Sequence, residues 1–262
     1  MTLGCIVLVS ISHAARAACE FSLQGEGRVG AVLDLRTFRL DDGREVRLAG
    51  IELPNDADAA SAAMLGALIA GREVSLHGSD DRPDRYGRQS AFAFLKGAET
   101  PIQSELLAQG TAFASPALTD KACSAALLAA EATARTARRG IWADSDALKN
   151  AESRDDILAW RGRFAVIEGT VLSARLAGAI FYVNFGRQWT RDFAVTISRH
   201  RIPAFEAAGI DLKSLKGKRV RVRGWVERRG GPRIEASHPG QIELVSVTDT
   251  IAETVVPIKE DQ

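Results

Sequence analysis

Between residues 28 and 51 apolar and polar positions alternate on both sides of Asp42-Gly43, which confines the start of the chain to antiparallel sheet. Val29, Ala31 and Leu33 share one face, Phe38 and Leu40 follow, and Val46, Leu48 and Ile51 resume the pattern after a dipeptide suited to a hairpin turn. Pro54 stops the strand, having no amide proton to give to a ladder. From Asp56 to Ala70 the period changes to that of a helix (Ala60, Met64, Leu65, Leu68), with Gly71 as its stop. Strands are expected around 74–76 and 90–95, joined by a charged loop over 79–88. A short helix is expected from Ile102 to Gln109. A longer one runs from Lys121 to Arg139, with Leu127 and Leu128 on its apolar face. Arg138-Arg139-Gly140 suits a helix C-terminus, where cations meet the dipole and glycine takes the left-handed turn. Ile141-Trp142 is expected to plug the core. Strands first and helices after give an α+β, mostly β, reading.

Residues 146–158 are polar and read as a linker or connecting helix. A second strand-rich block occupies 159–247: strands at 164–171, 180–185 and 193–197, a short helix at 203–208, then strands at 220–226 and 233–235. Three strands, a helix and two strands is the order of a small OB-type barrel. Between residues 216 and 229 lie seven cations and one acid, Glu227. On a strand, Arg219, Arg221 and Arg223 share the face opposite Val220, Val222 and Val226. This basic face is a candidate nucleic-acid contact, with Tyr182, Phe185, Trp189 and Trp225 available for base stacking. A solvated strand face beside core aromatics is an equally good reading. Residues 248–262 read as a flexible tail.

At 46% hydrophobic and 26% charged residues, the composition excludes wholesale disorder, and 34 basic against 33 acidic side chains leave any basic surface to be local. Leu3 to Ile11 is an apolar run of signal-peptide length, and Ala15-Arg16-Ala17 is a cleavage pattern, so residues 1–18 read as a signal peptide and the protein as periplasmic or secreted. At nine residues the run is too short to span a bilayer core of about 30 Å. The alternative is a buried first strand. Of three cysteines, Cys5 lies in this run; the remaining pair, Cys19 and Cys123, fits one disulfide in an exported chain.

Four blocks in order, Val46-Arg47-Leu48-Ala49-Gly50-Ile51-Glu52-Leu53-Pro54, Asp84-Arg85-Tyr86-Gly87-Arg88, 103–110 (QSELLAQG) and 131–142 (EATARTARRGIW), resemble the staphylococcal nuclease (thermonuclease) family. The resemblance covers roughly 25–145, sets a first domain at 19–145 and implies an SNase-type OB barrel with three helices. Tyr182-Val183-Asn184-Phe185-Gly186, Gly224-Trp225-Val226 and 234–239 (IEASHP) are similar to the OB-type domain that follows some such domains in exported bacterial proteins. The family hydrolyses phosphodiesters with Ca²⁺ held by carboxylates, a glutamate acting on water, and two arginines stabilising the developing phosphate charge.

By motif position the resemblance assigns the catalytic arginines to Arg47 and Arg88, lets Asp84 brace the loop that carries Tyr86 and Arg88, and leaves Asp34 and Glu52 as the metal-ligand candidates. Two positions depart from it. Asp34-Leu35-Arg36-Thr37 carries Arg36 where the family has a ligand aspartate, and Asn55 stands where it has the glutamate that acts on water. A guanidinium in a Ca²⁺ ligand position exchanges attraction for repulsion, about 4 kcal/mol for charges 4 Å apart near a surface. Losing a general base typically costs about 10²–10⁴ in rate. These substitutions lead to the expectation of a protein that binds single-stranded nucleic acid or nucleotides on Arg36, Arg47 and Arg88 with weak or no hydrolysis, and with no assigned cofactor. Two readings stay open beside it: an active endonuclease using Glu52 and Asp34, and an envelope scaffold. Salt bridging of Arg47 to Glu52 or Asp34 is the alternative to an anion site.

Overall fold

The computed structural model describes residues 19, 21–54, 59–80 and 82–245; the expected signal peptide, Asn55 and the tail from 248 lie outside them. The strands expected here form as β1 (Ser22–Asp34), β2 (Thr37–Leu40) and β3 (Glu45–Leu48), with β4 (Ile51–Glu52) after a glycine. Register shifts in β1 after Val29 and after Val32 break the expected face of Val29, Ala31 and Leu33: Leu33 is exposed and Val32 packs on the core instead. Gly50 sits at φ +77°, and a Cβ there would meet Leu127 Cδ1 at 2.8 Å and Phe92 at 3.1 Å. The motif therefore needs glycine at this position. Helix α1 (Ala59–Ile69), β5 (Glu73–Gly78) and β6 (Gln89–Leu95) follow. The strands close a barrel in the order β1-β2-β3-β6-β5, with β3 and β6 parallel. Phe38, Val46, Leu48, Leu65, Leu76 and Leu106 fill it. Helix α2 (Ile102–Ala108), β7 (Phe113–Ala114) and α3 (Lys121–Thr136) complete this unit, and β7 pairs with β4. At the first turn of α3, Asp120 accepts from the Cys123 amide, and Cys123 is bridged to Cys19 across a separation of 104 residues.

The stretch read as a linker or connecting helix holds both a short helix and a strand. After two 3₁₀ turns, β8 (Leu148–Asn150) and α4 (Arg154–Ala159) precede β9 (Phe164–Thr170), and β8 pairs in parallel with β9. Lys149, 3% exposed, bonds Asp146 at 2.7 Å and lies 4.8 Å from the Trp160 ring. The polar composition of 146–158 reflects these pairings, and β8 is an edge of the second unit's sheet.

The second unit continues with β10 (Ser173–Ala177), β11 (Ile180–Asn184), β12 (Ala194–Ser198), α5 (Ile202–Ala207), β13 (Arg219–Trp225), β14 (Glu227–Arg229), β15 (Gly231–Glu235) and β16 (Ile242–Leu244). These strands form two sheets, β10-β11-β12-β15-β14 and β16-β13-β9-β8, so the expected single barrel is interrupted. The breaks fall at Val171-Leu172, between β9 and β10, and at Val226, between β13 and β14. If each broken strand is taken as one, the pairings follow the cyclic order of the first barrel, including the parallel pair, here β12 with β15. A helix again follows the third strand.

The two units share a third apolar cluster of Phe113, Ala134, Trp142, Ala147, Phe164 and Val166. Phe113 lies edge-on to Trp142 at 5.3 Å and 5.9 Å from Phe164. Beside it runs a buried ionic seam. Arg223, 1% exposed, donates to both oxygens of the fully buried Glu131 at 3.0 and 3.1 Å, to the Ala114 carbonyl and to Glu243. Arg221, 0% exposed, bonds Glu168 and Glu243, while Arg219 donates to the second Glu168 oxygen. The expected basic binding face of Arg219, Arg221 and Arg223 is thus corrected. Its valine face lies in the second unit's core, and the first unit together with Glu168 and Glu243 closes over Arg221 and Arg223, while Arg219 stays half exposed and paired with Glu168. Burial works against the Arg223 charge, and Glu131 and Glu243 outweigh it, leaving its pKa above the usual arginine value.

Candidate nucleic-acid interface

The β1–β2 turn presents Arg36. Asp34 Oδ1 accepts the Arg36 amide at 2.8 Å, an Asx-type closure that leaves the guanidinium pointing across to β4. There Arg36 Nη1 lies 2.8 Å from Glu52 Oε2 and 3.1 Å from the Ile51 carbonyl. The other Glu52 oxygen accepts from the Ser115 hydroxyl at 3.3 Å. Both acceptor atoms of Glu52 are engaged. Ca²⁺ takes six to eight oxygen ligands, and a carboxylate already neutralised by a guanidinium beside a single further aspartate does not supply them. Among the described residues no group of three or more His, Cys, Asp or Glu side chains is arranged to hold a metal ion. The residues present do not fit the metal that the resemblance implied.

Arg47 stands on β3, opposite Thr37 on β2 and Ser90 on β6. Burial lowers its pKa below the usual arginine value, Arg36 and Arg88 lower it further, and Glu52 and Asp84 oppose them. The three arginines are therefore close enough to repel. Neither Glu52 nor Asp34 pairs with Arg47: Glu52 is taken by Arg36. Arg88, at the mouth of β6, is held by Asp84, whose Oδ2 accepts from Nε and Nη2 at 3.0 and 2.8 Å. Asp84 Oδ1 accepts the amides of Tyr86 and Arg88, closing the loop. Tyr86 is 65% exposed, with the Arg85 and Arg88 guanidinium carbons 4.7 and 5.0 Å from its ring centre.

The Arg88 hydrogen bond leads the forces that hold the Asp84 carboxyl at about 2, with backbone bonds adding to it and desolvation opposing. A depressed carboxyl contributes order that is complete above its unfolded value, near 4, and lost as pH falls through 2. Carboxyl-detected NMR is expected to show Asp84 titrating near pH 2, with the 84–88 loop amides shifting in the same step. A midpoint near 4 would contradict the brace.

Arg36 and Glu52 form a ridge between two clefts. One, of about 430 Å³, is lined by Arg36, Arg47, Glu52, Ser90 and Ser115. The other, of about 620 Å³, is lined by Asp34, Arg36, Glu52 and Arg88 from the first unit and by residues of the second. The geometry gathers Arg36, Arg47, Arg88, Asp34, Glu52 and Asp84. It does not bring Arg219, Arg221 or Arg223 there, and Phe185, expected as a stacking surface, is buried at 6%.

Residues 45–144 match the family model for staphylococcal nuclease homologues. They form a staphylococcal nuclease-type domain. Among curated proteins none matches the chain. The matched span begins inside the barrel and ends just past Trp142, so it contains Arg47, Glu52, Asp84 and Arg88, while Asp34 and Arg36 precede it. Among the described residues no helix is long and apolar enough to cross a membrane.

Proposed function

We propose that the chain is an exported protein that binds the phosphates of single-stranded nucleic acid or of nucleotides on its nuclease-type domain, with little or no hydrolysis. The carrying observation is the Arg36–Glu52 pair. It puts a fixed cation where a divalent ion would otherwise be gathered, and it occupies the carboxylate that would hold one. Arg47 is the cation freest to take a phosphate, having no carboxylate within salt-bridge reach among the described residues, and Arg88 is oriented beside it by Asp84. Guanidinium matches phosphate bidentately and stays charged on partial burial. Export is supported by the apolar run and cleavage pattern at the N-terminus and by the Cys19–Cys123 bridge, a pairing rare in reducing compartments. Recovery of the chain outside the cytoplasm without residues 1–18 is the matching check.

Anisotropy with a labelled single-stranded oligonucleotide, in Ca²⁺ and in chelator, tests the reading. Equal, salt-sensitive binding is expected in both, with the oligonucleotide left intact. Arg47→Ala is expected to weaken binding about tenfold or more, a hydrogen bond to a charged group being worth about 1.5–3 kcal/mol. Cleavage that needs Ca²⁺ and disappears in Arg88→Ala would overturn the reading and make the protein an active endonuclease.

A further inference from the structure

The larger cleft has a second wall. Opposite Asp34, Arg36 and Arg88 it is lined by Arg161, Gly162, Arg163, Phe164 and Trp225, all from the second unit. Its volume of about 620 Å³ lies inside the roughly 300–1,000 Å³ range of small-molecule sites. Arg161 and Arg163 are exposed and have no carboxylate partner among the described residues. The turn that carries the two is pinned rather than loose: the Gly162 amide donates to the Val226 carbonyl at 2.8 Å and the Val226 amide donates to the Arg163 carbonyl at 2.9 Å. Trp225 is 53% exposed, yet its ring is fixed edge-on against Phe164 at 6.2 Å. The result is a half-exposed indole lining the same cleft as two arginines without carboxylate partners among the described residues, and sharing that cleft with the phosphate arginines.

We propose that Arg161, Arg163 and Trp225 form a second nucleotide subsite, so that the cleft takes a single strand of two or more nucleotides. One phosphate lies on the Arg36 and Arg88 side, the flanking phosphate lies on the Arg161-Gly162-Arg163 turn, and a base stacks on Trp225. This rests on the phosphate-binding reading of the cleft. Stacking suits the site because every base offers a π-face. Recognition is therefore of a strand, with little sequence preference.

The test compares a nucleoside 3′,5′-diphosphate with a single-stranded tetranucleotide on the full chain. The tetranucleotide is expected to bind the wild type roughly tenfold or more tightly, by one stacked base and a further phosphate. Trp225→Ala is expected to remove most of that advantage while leaving the diphosphate affinity within about twofold. Arg161→Ala with Arg163→Ala, both on an exposed turn, is expected to reduce the slope of log affinity against log salt by about 0.7 for the tetranucleotide, at roughly 0.7 per phosphate neutralised on single strands, and not for the diphosphate. Equal affinities for the two ligands, or a tetranucleotide advantage that survives both variants, would overturn the subsite while leaving the phosphate site standing. Failure of both ligands to bind would overturn the phosphate site and the subsite together.

Discussion

Arg223→Ala is expected to lower the unfolding free energy by about 3–5 kcal/mol, the usual cost of removing one partner from a buried ion pair. The reason lies at the seam between the units. Glu131 is fully buried, and Arg223 supplies two of its hydrogen bonds; the Ala114 amide at 2.6 Å and Arg135 at 3.4 Å are what would remain. Removing the arginine also leaves the Ala114 carbonyl without its 3.2 Å donor and takes one cation from Glu243. Urea denaturation should show the midpoint falling with the slope unchanged, the sign of lost stability rather than of altered compactness. Glu131→Leu should be costly as well, because it strands Arg223. The double variant Arg223→Ala with Glu131→Leu should cost less than the sum of the two, with a coupling of about 0.5–3 kcal/mol. A single-variant loss under about 1 kcal/mol would mean that water reaches the seam.

Loss of the Cys19–Cys123 bridge is expected to be of similar size. It closes a loop spanning 104 residues, and the chain-entropy model gives roughly 4–5 kcal/mol for a loop of that length. For a chain of this size each kcal/mol moves the melting temperature by about 2–4 °C, so reduction, or Cys123→Ser, should lower it by roughly 10–20 °C. The bridge anchors the segment leading into β1 onto the first turn of α3, and Phe21 continues that anchoring by stacking on Phe92 at 4.8 Å. Calorimetry with and without reductant measures the effect. A shift of only a few degrees would mean that the reduced chain keeps its ends together by packing alone.

The first unit was legible because its signals are local. Alternation around Asp42-Gly43, the change of period before Gly71 and the cationic end of the long helix each act over a few residues, and β1–β3, α1 and α3 follow them. Cys19 and Cys123 were legible by count. The facing of Arg219, Arg221 and Arg223 was also read correctly from alternation, since Val220, Val222 and Val226 are in the core. What alternation cannot give is the cover on the other face. The acids that neutralise that strand sit at 131, 168 and 243, far apart in the chain, and Glu131 carries no local sign of a partner 92 residues away. The strand at 148–150 was missed for a related reason: three residues in a parallel pair have no turn beside them, and Lys149 reads as solvent-exposed until Asp146 and Trp160 are placed around it. Arg161 and Arg163 form no motif at all, and only the docking of one unit on the other sets them across from Arg36.

Because the seam is a bidentate ion pair flanked by interlocked aromatic rings, the two walls of the larger cleft belong to one stiff body. To clamp down on what enters, the slot would have to break that seam. A ligand would have to bend to the slot, and affinity would turn on how easily that ligand flexes rather than on any closing motion of the protein.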